Sequence, residues 1–289
     1  MGTFVTIQVL GRDAEREDAV DRAFRWFSEI ERRCTRFDPG SELMQLGAQV
    51  GADVPVSSML FEAVRFALAV AEESGGAFDP TVGHAMETRG FNREHRTGDV
   101  VHTTLSDDGP SSYRDVRLDP AGQTIRLLRP LVLDLGAVAK GLAIDMAARE
   151  LRRFENFAID AGGDLYLGGC NPAGRPWTVG IRHPRLDGEL IESLQVSDKA
   201  VCTSGDYERR SPDVDGNHHI FDPRTGATAE GVASATVVAP AAMLADALAT
   251  AGFVLGPVAG ITLFDRLGVD GLIFSSSLER YATHGLPDA

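Results

Sequence analysis

The residues best placed for chemistry stand where an apolar segment leads into a helix. The apolar run 131–133 predicts a buried strand, and small and apolar residues recur at helical spacing from Val138 onward. Asp134, Gly136 and Lys140 fall at this junction. A helix N-terminus with a nearby lysine can hold an anion, and the carboxylate suits a metal ion or a sugar hydroxyl. An aspartate that caps the helix beside an ordinary surface lysine would show the same spacing.

A second candidate site lies on a helix near the C-terminal end. Residues 241–253 are apolar almost all around the helix, which indicates a buried helix. Asp246 and Thr250 are the exceptions, and because they are four residues apart they share one face. A buried carboxylate needs a partner, since an unpaired buried charge is very unfavourable. A metal ion would satisfy this requirement, and so would an arginine or lysine from another element.

Three loops carry further polar groups. The segment A-F-D-P-T-V-G begins with Ala77, Phe78 and Asp79. Its backbone could bind a ligand, or the segment could simply form a turn. Two adjacent glycines precede Asp164 in A-G-G-D, which indicates a bulge or the close approach of another backbone or a flat ligand. His219 lies in H-I-F-D-P-R-T-G.

The order of elements predicts an α+β fold with mainly antiparallel sheets, because strands and helices do not alternate as repeated β–α units. A strand is expected at 3–10. A helix at 13–33 has an apolar stripe that includes Phe24. Residues 91–112 are polar and without periodicity, and are interpreted as a mobile loop or insertion. Further helices are predicted at 57–74 and 258–267, and strands at 113–118, 124–128, 177–181, 191–196, 200–203, 234–238 and 271–275.

The composition disfavours several classes of protein. The chain has 289 residues and 43% hydrophobic residues, which is typical of a globular protein with a substantial core. Its formal charge of −14 argues against binding to nucleic acid or to an anionic membrane, because both need a basic surface. No apolar segment is long enough for a membrane span. The three cysteines are isolated, which argues against a zinc site or a disulfide framework.

Taken together, the motifs resemble those of the ApbE family, the FAD:protein FMN transferases. The resemblance covers residues 1 to about 255. The matching segments, in order, are M-G-T-F, F-D-P-G-S-E-L, G-G-A-F-D-P-T-V-G, D-L-G-A-V-A-K-G-L-A-I-D, A-G-G-D, T-S-G-D-Y-E-R, H-I-F-D-P-R-T-G and A-A-M-L-A-D-A-L-A-T-A. Each segment alone is weak evidence, whereas eight in this order are specific.

The resemblance implies a fold and an activity. The expected fold is one ApbE-like domain over 1–289, a monomer built like duplicated T-fold domains with FAD in a cleft between two halves. Family members use Mg²⁺ to break the pyrophosphate of FAD. They pass FMN to a threonine hydroxyl of an acceptor protein through a phosphoester bond, and AMP leaves.

The resemblance also implies roles for particular residues. The metal would be held by the backbone carbonyl of Ala137 and by side-chain oxygens of Asp246 and Thr250, which agrees with the buried Asp/Thr pair found above. Oxygen ligands suit Mg²⁺. The residues expected to contact FAD are Met1, Ala77, Phe78, Asp79, Asp134, Lys140 and His219.

The reaction also needs charge neutralisation and a proton acceptor. Lys140 can serve with Mg²⁺ in the charge role. His219 is the first candidate for the general base, because a neutral imidazole is available near neutral pH. A structural histidine bonded to Asp222 or to a backbone carbonyl is an equal alternative. The neighbouring His218 is expected to be solvated, and Asp164 and Arg224 could orient groups near the phosphate.

Two other functions remain open. An FAD pyrophosphatase would use water as the nucleophile and release FMN and AMP. A flavin carrier would bind FAD without turnover. Because the first residues lack a signal-peptide pattern, a cytoplasmic location is expected, with a trimmed form of an exported protein as the alternative.

Overall fold

The computed structural model of the protein describes residues 2–11, 14–103, 109–208 and 218–286. Amphipathic or apolar periodicity favours the helices, and β-branched residues are frequent in strand segments such as 5–9 and 232–239. The helices are α1 Arg16–Cys34, α2 Glu42–Gly47, α3 Ser58–Glu73, α4 Gly83–Thr88, α5 Gly136–Leu151, α6 Ala242–Leu255 and α7 Pro257–Leu267. The strands are β1 Val5–Val9, β2 Val54–Pro55, β3 Val116–Asp119, β4 Thr124–Leu127, β5 Phe157–Ala161, β6 Asp164–Gly168, β7 Trp177–Arg182, β8 Leu190–Val196, β9 Lys199–Gly205, β10 Val232–Ala239, β11 Asp270–Ser275 and β12 Arg280–Ala282.

The largest sheet in the described chain has the strand order β1-β5-β6-β9-β10-β11-β12. Every neighbouring pair in it is antiparallel. The strands β2, β4 and β3 form a small antiparallel sheet, and β7 pairs with β8 in a hairpin. The predicted α+β class with antiparallel pairing is therefore confirmed.

The main sheet is covered on both faces. On β10, Ala235 and Val237 belong to the core formed with the helices, whereas Val238 belongs to a second core formed with the β7–β8 hairpin. This alternation follows from the period of two along a strand. Because both faces are covered, all eight residues of β10 are buried.

The two helices that carry the candidate site, α5 and α6, pack with their backbones in contact. A Cβ atom at Gly141 would overlap the backbone of Met243, so only glycine permits this approach. From α5, the carboxylate of Asp145 accepts hydrogen bonds from the N–H groups of Ala242 (2.7 Å) and Met243 (3.0 Å). Asp145 thus caps the N-terminus of α6, whose own N-cap residue, Ala241, provides no side-chain cap.

The expectation of a strand at 131–133 was wrong. These residues are buried, but only Val132 forms a β-bridge, an isolated parallel one with Val82. The next residue, Asp134, donates its N–H to the carbonyl of Pro80 at 2.7 Å, and α5 begins two residues later. A short apolar run has the same pattern whether it pairs with a neighbour or is only buried, so periodicity could not separate the two.

Two details of the predicted helices also differ. Helix α5 begins at Gly136, two residues before the helical spacing becomes visible at Val138. On α1, Phe24 is 40% exposed, whereas Ala23 and Phe27 are buried. The core-facing stripe passes through Ala23 and Phe27, and a residue one position away from the stripe is rotated by about 100° toward solvent.

The described part of 91–112 contains defined contacts. Arg93 and Val100 form an antiparallel bridge, and the backbone N–H and hydroxyl of Thr103 donate to the buried carboxylate of Glu87. Residues 104–108 lie outside the described residues. In the part of the chain that the structure describes, no helix combines the length and apolar character needed to cross a membrane.

Candidate functional site

One cleft of about 1280 Å³ brings the predicted site residues together. It lies at the N-terminal end of α5, beside the buried helix α6 and the ends of β6 and β9. Met1 lies outside the described residues, while the next two residues, Gly2 and Thr3, line the cleft. The predicted residues that line it are Ala77, Phe78, Asp79, Asp134, Ala137, Lys140, Asp164, His219, Asp246 and Thr250.

The N-terminal segment packs against the first glycine of A-G-G-D at the edge of the cleft. Gly162 has a φ of +68°, and a Cβ atom there would overlap the hydroxyl of Thr3. A residue with a side chain is disfavoured by both features. The close approach at Gly162 is thus made by the side chain of Thr3 and not by a backbone or a flat ligand, and β1 pairs with β5 from Val5 onward.

Three charged side chains meet in the cleft, and we call them the Lys140 cluster: Lys140, Asp164 and Asp246. The ammonium group of Lys140 forms a short ion pair with Oδ2 of Asp164, and it lies 3.8 Å from Oδ2 of Asp246. Asp164 is 2% exposed, and its Oδ1 also accepts from the N–H of Thr203 at 3.3 Å. Asp164 thereby fixes Lys140 against β9.

The cluster determines the charge of Lys140. Burial lowers the pKa of the ammonium group, but the nearby carboxylates of Asp246 and Asp164 more than offset this and hold the pKa above its ordinary value. Lys140 therefore stays protonated at physiological pH. It can stabilise negative charge, but it cannot act as a general base.

The oxygen atoms near Asp246 form a donor set that fits Mg²⁺. Thr250 donates from its hydroxyl to the backbone carbonyl of Asp246 at 3.3 Å and lies 3.2 Å from the hydroxyl of Ser204. Ala137 lines the same cleft from the first turn of α5. Among the described residues, no three His, Cys, Asp or Glu side chains gather as a metal cluster. A carboxylate, a hydroxyl and a carbonyl are hard ligands that suit Mg²⁺ when other ligands complete its shell.

Asp134 connects the start of α5 to a buried arginine. Its Oδ1 accepts from the N–H of Gly136, the first residue of α5, at 2.7 Å, although the N-cap position itself is occupied by Leu135. Its Oδ2 accepts from Nε of Arg36 at 2.6 Å. The alternative of an N-cap aspartate beside an ordinary surface lysine was therefore wrong, because the N-cap residue is Leu135 and Lys140 belongs to a buried cluster.

Asp79 organises its own loop. Its Oδ1 accepts from the N–H and the hydroxyl of Thr81 at 2.8 and 2.7 Å, and its Oδ2 accepts from the N–H of Tyr113 at 2.9 Å. Burial raises the pKa of this carboxyl, and the hydrogen bonds from Thr81 and Tyr113 act in the opposite direction. The contacts that Asp79 makes here shape the loop that presents Ala77 and Phe78 to the cleft.

The two adjacent histidines have different environments. His219 lines the cleft, and its ring lies 6.3 Å from the ring of Phe91 in an edge-on arrangement. The expectation that His218 is solvated was wrong, because it is only 7% exposed. Its Nδ1 accepts from the N–H of Ile220, and Nε2 is 3.0 Å from the carbonyl of Ala229, which defines the tautomer with the proton on Nε2. His218 is therefore a structural histidine that bonds to the backbone on both sides of its ring.

A sequence model of the ApbE family matches residues 1–273. This chain belongs to the ApbE family. It is 34% identical to the FAD:protein FMN transferase of Treponema pallidum over 100% of this chain and 86% of that protein. It is 32% identical to the enzyme of the same name from Vibrio cholerae over 83% of this chain and 74% of that protein. The resemblance inferred from the eight motifs is confirmed.

Solved structures of the ApbE family agree with the fold. The crystal structure of the ApbE protein from Thermotoga maritima superposes with a TM-score of 0.87 at 31% identity, and the match covers 98% of this chain and 94% of that one. The flavin transferase ApbE from Vibrio cholerae superposes with a TM-score of 0.84 at 26% identity, covering 98% and 94%. The ApbE-like architecture is therefore confirmed as an α+β fold with antiparallel sheets.

Sequence reasoning assigned no role to several residues that line the ApbE cleft, Arg36 and Ser204 among them. Arg36 stands directly before the motif F-D-P-G-S-E-L, which begins at Phe37. Ser204 stands in T-S-G-D-Y-E-R, a motif noted without a role. Arg224 pairs with Asp222 in its own turn, at 2.8 Å, and is not among the cleft residues. Ser204 lies within a motif and Arg36 lies directly before one, and those positions were the available signal.

Proposed function

We propose that this protein transfers FMN from FAD to a threonine hydroxyl of an acceptor protein and releases AMP. The observation that carries the proposal is the Lys140 cluster, in which a fixed ammonium group lies between two carboxylates in a cleft of about 1280 Å³. A pyrophosphate needs positive charge as its bond breaks, and a preorganised cation supplies it. Membership of the ApbE family and the names of its relatives support the same reaction.

Each residue of the Lys140 cluster has a separate task in this proposal. Lys140, held protonated, binds an oxygen of the pyrophosphate. Asp164 orients Lys140 and remains bonded to the backbone of β9. Asp246, with Thr250 and the carbonyl of Ala137, would hold Mg²⁺, which when bound would neutralise charge on the pyrophosphate.

The acceptor must lose a proton as it attacks. The threonine Oγ forms a bond to the phosphorus atom of the FMN half, the P–O bond to the AMP half breaks, and AMP leaves with the negative charge. We assign His219 as the residue that takes the hydroxyl proton. Nδ1 of its ring is enclosed within the protein, so Nε2 is the nitrogen assigned to the proton.

The proposal also covers how FAD is held. Residues on both sides of α5 in the sequence line the cleft, from Gly2 and Ala77 before it to His219 and Val254 after it. This two-sided lining supports FAD lying between two halves of a duplicated, T-fold-like architecture. The Ala77–Asp79 loop, Asp134 and the N-terminal segment that includes Met1 are the proposed FAD contacts.

The test is incubation of the purified protein with FAD, Mg²⁺ and an acceptor domain carrying a threonine. The control is the same domain with that threonine replaced by valine. An acceptor mass that rises by one FMN, with one AMP released for each, is the expected result. AMP and free FMN without a labelled acceptor would instead identify an FAD pyrophosphatase. FAD binding without any AMP would identify a carrier.

A further inference from the structure

A buried arginine contributes to the cleft but has no task in the function proposed above. Arg36 follows α1, its side chain is only 4% exposed, and it lines the cleft. Its guanidinium carbon lies 4.2 Å from the ring centre of Phe37. Nε donates to Asp134 at 2.6 Å, and Nη2 donates to the carbonyl of Phe91. One planar group therefore joins the start of α5 to the segment that begins at Phe91.

The third nitrogen of the guanidinium group shows that stability alone does not explain this residue. Nη1 is buried, and among the described residues it has no hydrogen-bond partner. A buried donor without an acceptor is unfavourable, and an apolar side chain of similar size would avoid that penalty. Features that are locally unfavourable occur most often at functional sites.

The two hydrogen-bond partners of Arg36 belong to different parts of the proposed reaction, namely FAD binding and proton transfer. On one side is Asp134, the carboxylate proposed to contact FAD. On the other side is Phe91, whose ring packs edge-on against the ring of His219, the proposed base, at 6.3 Å. A shift of Arg36 would therefore move both residues.

We infer that Arg36 is a positioning residue that couples FAD binding at Asp134 to the orientation of His219 through Phe91. The inference rests on the proposed function. Arg36 orients the carboxylate of Asp134 with a charge-assisted hydrogen bond and fixes the backbone of Phe91 with a second one. The ring of Phe91 then limits the positions open to the imidazole. A lysine could hold one of these partners but not both, because its single ammonium group lacks the separate N–H donors of a planar guanidinium group.

The test compares Arg36→Met and Arg36→Lys with the control Arg32→Lys. Arg32 lies on α1, is 63% exposed in its side chain and pairs only with Glu29 among the described residues. FAD affinity is measured by flavin fluorescence without Mg²⁺, and the transfer rate at saturating FAD is measured across pH. We expect Arg36→Met to weaken FAD binding roughly tenfold or more and to lower the saturated rate by a similar factor. Arg36→Lys should give an FAD affinity and a saturated rate between those of Arg36→Met and the unaltered protein. Arg32→Lys should match the unaltered protein in both quantities.

Two further variants separate positioning from a general loss of structure. Asp134→Asn combined with Arg36→Met should weaken FAD binding no more than the larger single change, because both act on one contact. Phe91→Leu should lower the saturated rate and leave FAD affinity unchanged. Three results would each overturn the inference. The first is that Asp134→Asn and Arg36→Met have additive effects on FAD binding. The others are an unchanged rate in Phe91→Leu and an unaltered FAD affinity in folded Arg36→Met. If Arg36→Met does not fold, Arg36→Lys and Phe91→Leu decide it.

The affinity measurements also separate this inference from the proposed function. FAD binding without FMN transfer by the unaltered protein would overturn the proposed function, while the contact between Arg36 and Asp134 would still be tested by affinity. An unaltered protein that fails to bind FAD would overturn both.

Discussion

Lys140 and Asp164 form an ion pair in which the carboxylate is almost fully enclosed and the ammonium group faces the cleft. Asp164 also accepts from the backbone of Thr203, so it holds Lys140 at a fixed place relative to β9. We expect Asp164→Asn to lower the transfer rate roughly 10- to 100-fold, by analogy with residues that orient metal ligands. The free energy of unfolding should fall by about 1–3 kcal/mol.

A surface pair provides the control for that measurement. Asp53 and Arg126 also form an ion pair, but both side chains are about half exposed, so Asp53→Asn should change the unfolding free energy far less than Asp164→Asn and leave transfer intact. Chemical unfolding and single-turnover transfer measure the two effects. Equal effects of the two variants would contradict a special role for Asp164.

Asp246→Ala should abolish Mg²⁺-dependent release of AMP, because it removes the charged oxygen ligand of the proposed metal site. Substitutions of Thr250, the proposed ligand next to Asp246, provide a matched comparison. Thr250→Ser keeps a hydroxyl and should retain most activity, whereas Thr250→Val keeps the shape and should raise the Mg²⁺ concentration needed for half-maximal rate. AMP release titrated with Mg²⁺ is the measurement. Full activity of Asp246→Ala would refute the metal assignment.

His219→Ala should slow FMN transfer, typically by 10²–10⁴-fold for loss of a general base, while FAD still binds. Because the proposed base is an imidazole that must be neutral to accept a proton, the variant should also change how the transfer rate depends on pH. His284→Ala is the control, since His284 has a side chain that is 99% exposed. An unchanged rate would exclude His219 as the base.

His218 should make stability depend on pH. Burial lowers its pKa below the ordinary value of 6.5, although the hydrogen bond to Ala229 acts in the opposite direction. As pH falls below 6.5, the unfolded chain takes up a proton that the folded protein does not, so the free energy of unfolding decreases. The decrease stops at the lowered folded pKa and has a slope of at most about 1.4 kcal/mol per pH unit.

Urea unfolding between pH 7.5 and 5.5 tests this dependence. His218→Gln cannot take up a proton in this range, so the difference in stability between the two proteins should change as pH falls. If the free energy of unfolding falls with pH in parallel for the two proteins, His218 does not contribute to the pH dependence of stability.

Asp145→Ala should destabilise the protein by about 1–3 kcal/mol, because it removes the only side-chain cap of α6 seen in the described chain. Burial raises the pKa of this carboxyl, although the N–H groups of Met243 and Ala242 favour its charged form. Chemical unfolding measures the loss. Asp145→Asn keeps an acceptor and should lose less, and a change below about 0.5 kcal/mol in Asp145→Ala would contradict the capping role.

The sequence was sufficient for the class of fold and for the ten predicted residues that line the cleft. Spacing on 241–253 placed Asp246 and Thr250 on one face of a buried helix, and the glycines before Asp164 indicated a close approach, which Thr3 makes. These features depend on residues near each other along the chain. Helical spacing and glycine conformation are local properties, so they can be read without knowing which elements pack together.

Only the tertiary structure decided which charged groups became partners. Lys140 and Asp164 are 24 residues apart, and Arg36 and Asp134 are 98 apart. The sequence left open whether Asp246 met a metal ion or a basic side chain, and packing of α5 on α6 brought Lys140 near it. It also could not tell that His218 is buried while His219 lines the cleft. Ion pairs and burial depend on how distant elements pack, and no local pattern specifies that.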